Sequence, residues 1–139
     1  MQTLKLSLYK GINFTNSKIQ IEKKLIIRLY CKVESITKIM ESIEMLPQRI
    51  EIQIKNSRLF CEAIRLLHLI YEKKPDLKFL RITVQPNAIE RTDQFKQLYQ
   101  STGLFKCLQK LILPVIENDY QTLKYLKQSI YGNLQLRKN

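Results

Sequence analysis

Glycine and proline are scarce in this chain of 139 residues, which has three glycines and four prolines. Gly11, Gly103 and Gly132 are isolated, so the sequence has neither a G-x-x-x-x-G-K nor a G-x-G-x-x-G loop for binding phosphates. No stretch has the composition of a flexible linker or a disordered tail. Because 45% of the residues are hydrophobic, we expect a single domain over residues 1–139.

Side chains that commonly carry out catalysis are also few. His68 is the sole histidine, and it lies in a helical pattern with no evident catalytic partner, so we expect it at the edge of the core. Acidic residues such as Glu34, Glu41, Glu90 and Asp93 fall on predicted helices near their starts, where a carboxylate stabilises the helix dipole. The sequence does not exclude a catalytic carboxylate pair of the glycosidase or nuclease type, but no feature of it requires such a pair. The sequence predicts a protein that is not an enzyme and uses no cofactor.

Cysteines are few, odd in number and widely spaced. Cys31, Cys61 and Cys107 form no C-x-x-C pair, and with one histidine they predict neither a zinc site nor a disulfide framework. Each lies within an apolar stretch. We therefore expect three buried thiols in a reducing compartment.

Long apolar runs are absent. No window approaches the ~18 apolar residues of a membrane span, and the N-terminal segment MQTLKLSLYKGINF lacks the apolar core of a secretory signal. The absence of acidic residues before Glu22 leaves a mitochondrial presequence open, although the leucines of this segment alternate as in a strand. The expectation is a soluble intracellular protein in the cytoplasm, where a cytoskeletal or ribonucleoprotein assembly would accommodate it.

The clearest positive signal is a strand followed by a helix. In RIEIQIKN, residues 49–56, isoleucines alternate with polar residues, which predicts a half-buried strand. The next segment, SRLFCEAIRLLHLIYEKKP, has apolar residues at helical spacing. Ser57 is expected to cap this helix and Pro75 to end it.

The same order of elements recurs along the chain. Further strands are predicted at about 3–9, 23–31, 77–84, 108–115 and 134–136, and further helices over about 34–45, 88–102 and 118–130. KIQIE, within 10–22, is either a strand or the tail of a degenerate helical turn. Strand centres about 21 to 31 residues apart are typical of a stacked α/β repeat. Because the strands carry polar residues at alternate positions, one sheet face is expected to meet water.

This pattern resembles the leucine-rich repeat, whose motif reads L-x-x-L-x-L. The best matches are Leu77-x-x-Leu80-x-Ile82 and Leu108-x-x-Leu111-x-Leu113. The long helical returns are similar to those of the ribonuclease-inhibitor class of that family. The resemblance implies a short, degenerate solenoid of alternating strands and helices with a mostly parallel sheet, and it implies protein binding. Uneven repeat lengths leave a different open α/β sandwich as the alternative.

The family usually places an asparagine or a cysteine just beyond each strand, where its side chain satisfies backbone groups of the turn. The resemblance gives Cys31, Asn56 and Asn87 this role. The repeat at 108–116 departs from the pattern, because Ile116 lies near the expected position.

Positive charge is the strongest compositional bias. Twenty-four Lys and Arg against twelve Asp and Glu give a net charge of +12, which attracts nucleic acid, anionic lipid or an acidic protein. If the predicted register is right, Arg28, Lys55, Arg81 and Lys110 line adjacent strands on the water-facing side. We interpret these four residues as a partner-binding site, with a merely solvated sheet face as the alternative.

Two functions fit these observations. One is a protein-binding scaffold, a structural subunit that docks on an acidic partner in a multi-subunit complex, because stacked repeats form an extended rigid face. The other is a basic nucleic-acid-binding component of a ribonucleoprotein. Sheet-based RNA readers need exposed aromatics on central strands, and RIEIQIKN and LKFLRITV carry at most one each. No small-molecule substrate is indicated.

Overall fold

Strands and helices alternate along the protein. The computed structural model describes residues 2–8, 19–30, 36–55, 59–84, 92–115 and 134–138. In chain order the elements are β1 Thr3–Leu8, β2 Ile19–Gln20, β3 Lys24–Leu29, α1 Ile36–Ser42, β4 Ile43–Met45, β5 Arg49–Ile54, α2 Phe60–Lys73, β6 Phe79–Val84, α3 Thr92–Thr102, β7 Lys110–Val115 and β8 Leu134–Lys138. The predicted helix over 118–130 lies outside the described residues.

Six strands form one sheet in the order β1-β3-β5-β6-β7-β8, and every described pairing in it is parallel. The order follows the chain and lacks the reversal of a doubly wound sheet. One ladder runs through all six strands and aligns an apolar residue from each: Leu4, Leu25, Ile50, Leu80, Leu111 and Leu134. The predicted α/β class with a mostly parallel sheet is therefore confirmed.

The core lies between one face of this sheet and the helices. Ile50, Ile52 and Ile54 of β5 are fully buried, as the alternation in RIEIQIKN predicted. They share one hydrophobic cluster with residues of α2 spaced three or four apart, among them Ala63 and Leu67. Burial of this apolar surface is the main term that stabilises the fold.

A second, two-stranded parallel sheet joins β2 to β4. The Ile21 N–H donates to the Met45 carbonyl at 3.1 Å, which extends the pairing beyond β2. Ile21 and Ile43 are fully buried in the same core cluster as the large sheet. The uncertain segment 10–22 therefore contains a short strand at its end.

One predicted helix boundary is wrong. The helix expected over 34–45 ends at Ser42, because the last three residues pair with β2 as β4. Helix α2 begins after Leu59, which makes no side-chain capping bond. Ser57, the predicted cap, lies outside the described residues. The error at Ser42 concerns backbone groups whose partners are set by the fold and not by the local sequence.

Two of the three cysteines that were expected to be buried are exposed. Cys61 and His68 are exposed, because together with Arg65 and Glu72 they form the outward stripe of α2. Cys107 is exposed in the turn before β7. Cys31, Asn56 and Asn87 lie outside the described residues. Among the described helices, none combines the length and the apolar character needed to cross a membrane.

Lys73, at the end of α2, holds the end of α1 in place. Its ammonium group donates to the Met40 carbonyl at 2.5 Å and to the Ile43 carbonyl. The last carbonyls of a helix have no partner within the helix, so a cation placed there satisfies them and interacts well with the helix dipole.

We predict that Lys73→Met lowers the free energy of unfolding by about 1–2 kcal/mol, because two carbonyls lose a charged donor. Urea unfolding of the variant beside Lys38→Met measures this effect. Lys38 is exposed on α1, and its replacement removes the same charge and adds the same side chain. Equal midpoints for the two variants would show that the Lys73 contacts contribute nothing.

Candidate functional site

The sheet face opposite the core is the candidate site. On each strand, the residues between the core positions point away from the helices, and none of them belongs to the core cluster. We call this surface the open face and define it by Lys5, Lys24, Ile26, Arg28, Arg49, Glu51, Gln53, Lys55, Phe79, Arg81, Thr83, Lys110 and Ile112.

Basic side chains dominate the open face. Seven of its defining residues are Lys or Arg, and they come from β1, β3, β5, β6 and β7 or, for Lys55, from the residue that follows β5. Glu51 is the acidic residue in this set. A sheet surface with this charge distribution attracts anions over a wide area.

All four residues predicted as a binding site lie on the open face, but at different levels of the ladder. Lys110 is level with Phe79, Arg81 is level with Glu51, and Arg28 is one level further along. Lys55 follows the end of β5, where its N–H donates to the Leu29 carbonyl at 3.0 Å. The four basic residues thus lie at four different levels of the ladder instead of forming one row.

A row of one aromatic and two cations lies at the start of the strands. Arg49, Phe79 and Lys110 are directly aligned on β5, β6 and β7. The Arg49 guanidinium lies 4.3 Å from the centroid of the Phe79 ring, and the Lys110 Nζ lies 5.8 Å from it. Both distances fall within the range of cation–π attraction. The ring therefore holds both cations in place above the sheet.

Glu51 lies at the next level, where its side chain is 11% exposed. Its Oε1 is 3.0 Å from the Lys24 Nζ and 3.9 Å from the Arg81 Nη1. A buried carboxylate is stable when cations neutralise it, as these two do. In the described part of the chain, the Arg81 Nε is buried and has no hydrogen-bond partner.

Beyond Glu51 the open face is polar but less charged. The Arg28 Nε donates to the Gln53 Oε1 at 3.2 Å, and Thr83 continues the same level on β6. Ile26 and Ile112 are buried on this face although they lie outside the core cluster. Their neighbours in the ladder include Lys and Arg, whose long aliphatic stems cover apolar surface while their charged ends reach water.

The sequence reasoning missed Lys24, Arg49, Glu51 and Phe79 as residues of this site. The signal that would have found them is the alternation itself. Arg49 and Phe79 precede the open-face residues Glu51 and Arg81 by two positions, so they point to the same side of the sheet. The contacts between neighbouring strands depend on the register, which the sequence alone does not give.

The described residues include no group of three or more His, Cys, Asp or Glu side chains that could hold a metal ion. No family model matches the chain, and neither the search of curated proteins nor that of solved structures found a significant match. The leucine-rich-repeat resemblance therefore stays a prediction from the sequence pattern. The chemistry of the open face is the basis for inferring a function.

Proposed function

We propose that this chain is a non-enzymatic, leucine-rich-repeat-like structural subunit whose open face docks on an acidic protein within a larger assembly. The observation that carries the proposal is the charge of this face, where seven basic side chains accompany one carboxylate. Complementary charge of this kind steers a partner and selects it by the sign of its surface.

The sheet supports a scaffold of the predicted kind. Its strands are neighbours in chain order, and the elements that return between them are also neighbours in order: β2 with β4, α1 with α2, and α2 with α3. Side chains on such a backbone are already positioned, so docking orders little of the chain. β1 and β8 end the described sheet, and edge strands are commonly covered by a neighbour in an assembly.

The contact between Arg49 and Phe79 favours an acidic protein over nucleic acid at the start of the strands. Single-stranded RNA is usually bound by stacking bases on exposed aromatic rings. Within the described strands, Phe79 is the aromatic at an open-face position, and the Arg49 guanidinium lies over its ring. Tyr30, which follows β3 as Lys55 follows β5, is a second aromatic with the same alternation. A base stacking on Phe79 would have to displace the Arg49 guanidinium, whereas a carboxylate would bind to it.

We predict that reversing two charges, Lys55→Glu with Lys110→Glu, weakens binding of a poly-glutamate peptide about tenfold or more at low salt, because each reversal adds repulsion beside the bound anion. Lys38→Glu with Lys106→Glu is the matched control. Both control residues are exposed and lie outside the strands of the sheet, and the change in net charge is the same. Titration calorimetry over a salt series measures both pairs.

Three outcomes of this titration are informative. A loss confined to the open-face pair supports docking at this surface. Equal losses in both pairs would mean that net charge alone governs binding and would overturn the proposal. If RNA of equal charge binds tightly and depends on the open-face pair, while poly-glutamate does not, the nucleic-acid function replaces the one proposed.

A further inference from the structure

We propose that Glu51 is an internal counter-ion of the open face, and that a carboxylate of the partner replaces it at Arg81 on docking. This inference rests on the proposed function, since it concerns the same surface. Under this inference, Glu51 controls which anions the open face binds and how strongly it binds them.

The two contacts of Glu51 are unequal. Lys24 approaches its carboxylate at 3.0 Å, a distance at which the ammonium donates a hydrogen bond. Arg81 approaches at 3.9 Å, beyond hydrogen-bonding distance. Glu51 therefore forms a hydrogen-bonded ion pair with Lys24, whereas it attracts Arg81 without a hydrogen bond. An anion from solvent therefore displaces Glu51 from Arg81 more easily than from Lys24.

Arg81 has unused hydrogen-bonding capacity. A guanidinium offers five donors in a planar fork that fits a carboxylate bidentately. In the described part of the chain, its Nε lacks a hydrogen-bond partner, and its Nη1 lies 3.9 Å from the Glu51 carboxylate. The Arg81 side chain as a whole is 31% exposed although its Nε is buried, so an anion from solvent would bind first to the exposed part of the side chain.

The surroundings of Arg81 favour an incoming anion. Phe79 lies one level away from Arg81 on the same strand. Its ring positions two cations, Arg49 and, at the start of the neighbouring strand, Lys110. When a partner carboxylate takes over Arg81, Glu51 keeps Lys24, so neither carboxylate is left without a cation. A weakly charged surface does not displace Glu51. The open face therefore selects partners with a high density of carboxylates.

The first test removes the charge of Glu51 at nearly constant shape. We expect Glu51→Gln to bind poly-glutamate about fivefold more tightly than the native chain, because one repulsive charge next to the anion is gone. Glu72→Gln is the matched control, with the same charge change on the outward stripe of α2. The core separates Glu72 from the open face, and charges further apart than about 10 Å are largely screened at 0.1 M salt. Its affinity should stay within about twofold of the native value.

The second test adds a counter-ion. Gln53→Glu places a carboxylate beside the Arg28 Nε, which already donates to Gln53 at 3.2 Å, so the fold gains a charge-assisted hydrogen bond. We expect poly-glutamate to bind this variant about fivefold more weakly. This measurement keeps the proposal testable if Glu51→Gln does not fold.

The outcomes separate the two proposals. If Glu51→Gln behaves like Glu72→Gln, or if Gln53→Glu binds like the native chain, Glu51 does not act as a counter-ion that anions replace. Docking at the open face still stands in that case if the Lys55 and Lys110 reversals weaken binding. If those reversals have no specific effect, the proposed function itself is wrong.

Discussion

Replacing Ile52 by alanine is expected to lower the free energy of unfolding by about 3–4 kcal/mol, which urea unfolding at equilibrium would measure. Ile52 is fully buried on β5, in the middle of the sheet, with Ile27 and Ile82 directly beside it in the ladder. Truncation removes apolar surface from the core and leaves a cavity. Residues this tightly packed do not close such a cavity without strain.

Ile26→Ala is the control, because it is the same chemical change on the neighbouring strand. Ile26 is also buried, at 7% exposure, but it lies on the open face outside the core cluster. Its ladder neighbour Lys5 is exposed and has a flexible side chain that can move over the vacated space. We expect a smaller loss of about 2 kcal/mol, because three buried carbons are removed without leaving a rigid cavity. Equal losses for Ile26 and Ile52 would contradict a single core on one side of the sheet.

Phe105→Ala is expected to lower the free energy of unfolding by about 3–5 kcal/mol. Phe105 is fully buried after the end of α3, where its ring meets that of Tyr71 on α2 edge to face, with centroids 5.7 Å apart. The pair contributes more than its buried area because the ring edge of one aromatic attracts the face of the other. Its loss weakens the attachment of α3 to α2.

Two further variants serve as comparisons for Phe105→Ala. Phe105→Leu keeps most of the apolar volume and should lose about 1–2 kcal/mol less than the alanine variant. Phe79→Ala removes an equal ring from a half-buried position on the open face, so we expect a smaller loss of about 1 kcal/mol. If Phe79→Ala destabilises the chain as much as Phe105→Ala, the assigned positions of the two rings are wrong. Thermal unfolding followed by circular dichroism measures all three.

Under the proposed function, stability and binding depend on opposite faces of one sheet. The isoleucines of β5 face the helices and hold the fold together, while Arg49, Glu51 and Gln53 between them face away. Charge changes on the open face should consequently alter anion binding with little effect on stability. The exception is Glu51, whose contacts with Lys24 and Arg81 place it in both roles.

The alternation in RIEIQIKN and the helical spacing that follows it determined much of this fold in advance. A period of two fixes which strand residues share a face, whatever the neighbouring strands are, and a period near 3.6 does the same for a helix. For this reason the strands, the core isoleucines and the shared face of Arg28, Arg81 and Lys110 followed from the sequence. The excess of basic residues on that face was visible in the same way.

The tertiary structure decided what depends on distant neighbours. β4 formed at the end of a helical pattern because β2 satisfies its backbone groups. Cys61 and His68 are exposed because the rotation of α2 about its axis, set by packing, turns their stripe outward. The register between strands placed Arg49 over Phe79 and Glu51 between Lys24 and Arg81. A local pattern specifies the side on which a residue lies, whereas its contacts there arise only when strands far apart in sequence pair.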